Sequence, residues 1–188
     1  MGMAPVVSLL GLKISDELGM AYESDTVAAM QWVLDNKSQY NIRVVNLSIN
    51  STMEQSYHAS PLDAAAEILW FNGIVVVASA GNKGPGTGPN TIDAAPANDP
   101  FIITVGASDE KANLKIRDDS IAPFSAYGTT MDGFVKPDII APGKDIISVL
   151  ARHSHWNSVN WNSVNWNSVN WNSVNWNSVN WNSTYWAP

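Results

Sequence analysis

The chain has 188 residues, 45% of them hydrophobic, a formal charge of −7 and no cysteine. That length supports one domain with a real core, and the apolar fraction is that of a globular chain. The acidic balance excludes nucleic acid as a partner, which would need Lys and Arg in excess, and the absence of thiols excludes disulfides and thiolate metal sites. No apolar run reaches the length of a membrane span, and no basic region followed by an apolar core and cleavage site opens the chain, so neither a span nor a signal peptide is expected. Charge divides the molecule: every Asp, Glu, Lys and Arg precedes Trp156, and the last 33 residues carry none. Two units follow, a domain over 1–152 and a tail over 153–188.

Residues 6–14 (VVSLLGLKI) read as a strand, and 15–22 as a polar loop. Ser24 is placed to cap a helix, with Asp25 in its first turn and Val27, Met30 and Leu34 at helical spacing to about Asn36. Residues 41–49 (NIRVVNLSI) read as a second strand, followed by a polar loop that holds His58. Ser60-Pro61-Leu62-Asp63 is a helix start, with Ser as the cap and Pro at the first helical position, and Gly73 is the stop. The apolar run at 74–80 is a buried strand, closed by the Gly81-Asn82-Lys83-Gly84 turn. A strand is also expected at 101–107 (FIITVGA), and two further apolar pieces follow at 138–141 and 146–150. The alternation of strand and helix, with strands apolar throughout, predicts parallel strands buried on both faces: an α/β, doubly wound, three-layer sandwich.

The turn after residue 80 lies where open α/β sheets keep their sites, just past a strand's carboxyl end. On spacing alone Asn82 has two readings. Its side-chain N–H suits developing negative charge, as in an oxyanion hole, and an Asn is also well tolerated in a tight turn for its left-handed conformation.

Five segments in order resemble the subtilisin-like serine proteases (subtilases). They are GMAP at 2–5, NLSIN at 46–50, SPLDAAAEILWFNGIVVVASAGNKGP at 60–85, APANDPFIITVGASDE at 95–110 and FSAYGTTMDGFVKPDIIAPG at 124–143. The likeness covers nearly all of 2–150, and so identifies 1–152 as part of a subtilisin-like peptidase domain. It implies serine endopeptidase chemistry on a peptide or protein substrate in a secreted setting. No cofactor is expected, and no residues of the chain are singled out as metal ligands. It makes Asn82 similar to the family's oxyanion donor. It makes Ser48 and Ile49 similar to the backbone edge that pairs with an extended peptide, and Ala78, Ser79, Ala80 and Gly81 similar to a wall of the primary specificity pocket. Asn50 departs from the pattern, standing where the family usually has Gly, and a side chain there narrows the approach to that pocket.

The family's catalytic groups come in the order Asp, His, Ser. The resemblance puts the first two motifs upstream of GMAP and the Gly-Thr-Ser-Met motif beyond IIAPG, where the repeats begin here. The chain alone is therefore expected to be an incomplete, inactive peptidase. Thr130 in Gly128-Thr129-Thr130-Met131 imitates the nucleophile motif but precedes KPDIIAPG instead of following it, and is expected to be structural. His58 reads as a solvated loop residue. His153 and His155 flank Ser154 with no third group to orient them and no nearby acid to complete a metal site.

From Trp156 to Trp186 a Trp recurs at every fifth residue, as WNSVN five times, WNSTY and a final Trp. Five fits neither a helix nor one face of a strand, so a turn-rich β stack is the structural expectation. Exposed Trp rings suit sugar rings or another apolar surface, and the alternative function is a non-catalytic, adhesive protein contacting polysaccharide or a cell surface. The same composition also fits a low-complexity, aggregation-prone tail.

Overall fold

The computed structural model describes residues 4–16, 20–84, 92–111, 113 and 116–146. The domain boundary near 153, the WNSVN tail, His153, His155 and the end of the apolar piece at 146–150 lie outside the described residues.

Helix α1 (Glu23–Tyr40) buries Thr26, Met30 and Val33. It starts one residue before the expected Ser24 cap. Tyr22 holds the cap position in extended conformation with no side-chain cap bond, and Glu23 and Asp25 supply negative charge to the first turn instead. The helix outruns the expected end near Asn36 and carries a ring stack of Trp32 on Tyr40 at 5.6 Å in its last turns, and Asn41 then stops it in the left-handed region at φ 51°. Helix α2 (Pro61–Phe71) follows its sequence cues: the Ser60 hydroxyl accepts the Asp63 N–H at 3.1 Å, Pro61 leads the first turn, and Gly73 turns the chain at φ 75°.

The main sheet contains β1 (Val44–Leu47), β2 (Val75–Ser79), β3 (Ile103–Asp109), β4 (Ser120–Ile121) and, after a small β5–β6 hairpin (Gly128–Thr129, Val135–Lys136), β7 (Ile139–Pro142). β1, β2, β3 and β7 run parallel, with Leu47 opposite Ala78, Ser79 opposite Val105, and Val105 opposite Ile139. β4 adds antiparallel to the end of β3. This is the expected α/β class, a parallel sheet with flanking helices.

Met30 and Val33 of α1, Leu62, Ala66 and Leu69 of α2, and Leu47, Val76, Ala78 and Ile102 from the sheet side form one core. The two helices pack on each other and on one face of the sheet. In β2 the burial alternates, with Val76 fully buried and its neighbour Val75 39% exposed, while the alternate residues of β3 are buried and half-buried. The expected strand at 6–14 is also corrected. Those residues join no ladder among the described residues, and Val6 and Leu9 are 96% and 90% exposed. Apolar content favours a strand only where a neighbouring strand takes up its backbone N–H and C=O groups, and β1 does not do so here.

Candidate active site

Because β1 and β2 are parallel, Ser48, Ile49 and Asn50 leave the sheet at the same end as Ala80, Gly81 and Asn82. The structure thus brings together the residues that the sequence singles out: 48–50 on one side, 78–82 on the other. Ala78 and Ala80 are buried, Ser79, Gly81, Asn82 and Ile49 half-buried, and Ser48 and Asn50 exposed.

The turn that carries Asn82 is fixed from three directions. The Ala80 N–H donates to the Val105 carbonyl at 2.9 Å, the Ala126 N–H to the Gly81 carbonyl at 3.0 Å, and the Gly84 N–H to the Phe124 carbonyl at 2.8 Å. Gly81 (φ 93°) and Gly84 (φ 66°) occupy the left-handed region that glycine tolerates best. Lys83 pairs with Glu54, tying the turn to the loop after β1. A donor held on a backbone pinned this way needs little reorganisation to meet developing charge, which is what electrostatic stabilisation requires.

On the other side, β1 and β2 part after Leu47 and Ala78. The Ser51 N–H donates to the Ala95 carbonyl at 2.7 Å instead of continuing the ladder. The Asn50 side chain crosses the opening: its Nδ2 donates to the Ser79 carbonyl at 3.1 Å, and the Ser79 hydroxyl donates to its Oδ1 at 3.4 Å.

A polar layer straps three further segments together, the loop at 55–57 and residues 93–98 and 131–132. The Asn98 amide donates to the Gln55 carbonyl at 2.8 Å, Asp93 accepts the Met131 N–H at 2.6 Å, and Asp132 accepts the Ser56 hydroxyl at 2.7 Å and the Tyr57 N–H at 3.1 Å. The sequence gives no sign of this layer, since its partners are far apart along the chain and each residue type is ordinary in a loop.

Two acids are buried: Asp63, read from the sequence only as part of a helix start, and Asp99, which no sequence pattern singles out. Burial raises Asp63 from 3.8 to about 7; the nearby Ser60 hydroxyl partly opposes this, and the negative charges of Asp99, Glu67 and Glu23 add to it. Neither of its carboxyl oxygens has a hydrogen-bond partner. Burial likewise raises Asp99 to about 6, with its bond to the Phe101 N–H pulling the other way.

Thr130 is buried, and its hydroxyl accepts the Phe134 N–H at 3.2 Å inside the hairpin turn. His58 is exposed, its ring 3.9 Å from that of Tyr57. Among the described residues, no group of three or more His, Cys, Asp or Glu is arranged to hold a metal ion, and no helix is long and apolar enough to cross a membrane.

A model of the subtilase family matches residues 1–183. Serine protease AprX of Bacillus subtilis (strain 168) is 36% identical over 163 residues, which is 82% of this chain and 35% of AprX. A thermophilic serine proteinase of Bacillus sp. (strain AK1) is 34% identical over 149 residues, 79% of this chain and 31% of that protein. Among solved structures, the S41 psychrophilic protease superposes with a TM-score of 0.52 at 26% identity, covering 66% of this chain and 40% of that one. Sphericase, at 22% identity and a TM-score of 0.52 over 66% of this chain and 40% of its own, shares the fold. The chain thus corresponds to less than half the length of each of these proteins.

Proposed function

The chain belongs to the subtilase family, and from that membership we propose that its cleft binds an extended peptide for hydrolysis of the peptide bond. In this reading Ser48 and Ile49 offer the backbone edge to the peptide and residues 78–81 form a pocket wall. Asn82 donates its side-chain N–H to the oxyanion. The observation that carries it is the meeting of 48–50 with the pinned 80–84 turn at the carboxyl ends of two parallel strands, the usual place for a site in such sheets. The attacking group, its base and the orienting acid belong to motifs with no counterpart among these 188 residues, so the chain by itself binds peptide without cleaving it. Electrostatic stabilisation alone leaves little turnover when the triad is missing. Action outside the cell is part of the same proposal. So is the division into a peptidase portion over 1–152 and a repeat tail over 153–188.

The Trp recurring at every fifth residue from Trp156 to Trp186 supports a second reading, a surface-binding protein that contacts polysaccharide through stacked rings. One set of measurements separates the two. The full chain is expected to release no peptide from casein, and titration with an alanine-based extended peptide is expected to shift the NMR signals of 48–50 and 78–82. Measurable casein hydrolysis would overturn the inactive state. Retention on an insoluble polysaccharide with no peptide-induced shift in the cleft would put the function in the tail.

A further inference from the structure

The opening between the ends of β1 and β2 is already occupied by a side chain of the protein itself. After Leu47 the two strands diverge, and the chain from β1 is drawn toward Ala95. A wedge-shaped slot results, with Ser48 and Ile49 on one side and Ser79 to Gly81 on the other. The carboxamide of Asn50 lies across it, held at both ends by Ser79, through the carbonyl at 3.1 Å and the hydroxyl at 3.4 Å. Its depth is set by Gly81: a methyl group there would lie 3.1 Å from Asn50 Oδ1, so the amide rests directly against the glycine backbone. Asn50 therefore fills the space that an incoming side chain would take, and it does so with a polar group.

We propose that Asn50 determines specificity by closing this slot, so that the cleft accepts peptides whose inserted residue is small, of the size of Gly, Ala or Ser, and rejects large apolar ones. The inference rests on the peptide-binding reading of the same cleft. A bulky side chain has to displace the carboxamide and break both of its bonds to Ser79, leaving the Ser79 carbonyl to be satisfied elsewhere. A methyl group fits beside the amide without disturbing it. Loss of the carboxamide leaves a slot lined by Ile49 and by the Ala80–Gly81 backbone, which suits an aromatic or branched side chain.

The test uses the full 188-residue chain and two probes, acetyl-Ala-Ala-Ala-Ala-amide and acetyl-Ala-Ala-Ala-Phe-amide, with affinities read from NMR shifts at 48–50 and 78–82. The native chain is expected to bind the alanine peptide about tenfold tighter than the phenylalanine one. Asn50→Gly is expected to strengthen phenylalanine binding by about 10- to 100-fold with little change for alanine, the range over which a pocket discriminates by size. Asn50→Ala keeps the backbone preference of a residue with a Cβ. It should move the ratio in the same direction and serves if the glycine variant does not fold. Equal or tighter binding of the phenylalanine peptide by the native chain, or an unchanged ratio in a folded variant, would overturn the role of Asn50 and leave the cleft standing. If neither peptide shifts the cleft signals in any variant, the cleft itself is wrongly assigned, and the role of Asn50 falls with it.

Discussion

A methyl group on Gly84 would lie 2.9 Å from the Pro123 carbonyl oxygen, and the residue already sits at φ 66°. Both the contact and the backbone angle therefore exclude a side chain, at the position that pins the Asn82 turn to residue 124. Gly133 is the natural control, because its φ is 89° and nothing lies within 4 Å of an added methyl. Gly133→Ala is expected to cost about 1 kcal/mol, the backbone penalty alone. Gly84→Ala is expected to cost about 2–3 kcal/mol, with the backbone penalty and the displaced contact both contributing. Urea denaturation midpoints compare the two, and equal losses would show that the Pro123 contact carries no weight. The resemblance marks Gly81 and Gly84 as parts of a functional turn, and the geometry adds which backbone groups hold it.

At the scale of elements, α2 carries a burden at its first turn. The Asp63 N–H engages Ser60 as a helix cap should, but the carboxyl is fully buried, unpartnered and raised to about 7. The folded value lies above the ordinary 3.8, so the folded chain keeps this proton over a range where the unfolded chain has released it. The group thus contributes most below about pH 4, and its contribution falls as pH rises through about 7. Asp63→Asn removes that titration. It is expected to leave stability near pH 4 little changed and to raise it at pH 8 by about 2 kcal/mol, with Asp99 keeping a smaller dependence of the same sign. Thermal melts of both chains at pH 4, 6 and 8 check this, and parallel curves would show that Asp63 stays charged in the fold. The elements themselves differ in how far they can be read from sequence. α2 and the 80–84 turn are legible because their cues are local: Ser60, Pro61 and Asp63 within four residues, and Gly81 and Gly84 around Asn82. The segment at 6–14 is not, because apolar composition does not say whether a neighbouring strand is there to pair with it. The Asn50–Ser79 bridge joins residues 29 apart in the chain, and no local pattern announces it. Lys136 is just as hidden: a lysine in a loop-like KPD sequence proves 2% exposed, donating to the Ile102 carbonyl at 3.0 Å and pairing with Asp138 at 2.7 Å.

At the scale of the whole molecule, the described part of the sheet has an open side. Among the described residues β1 is laddered to β2 and to nothing on its other edge, while Val44 is 57% exposed and the apolar segment beginning at Val6 is unpaired. Such an edge is a template for another strand. The isolated chain is expected to self-associate with rising concentration in sedimentation velocity, and Val44→Lys to reduce that association. A native chain monomeric at all concentrations would show the edge to be covered. A different consequence comes from the polar layer, where Asp132 holds Ser56, a partner 76 residues earlier. During synthesis the loop after β1 emerges long before the carboxylate that anchors it. On a ribosome, then, that loop is among the last features to be fastened: a nascent chain stalled short of residue 132 has both walls of the cleft but not the carboxylate that holds Ser56 and Tyr57.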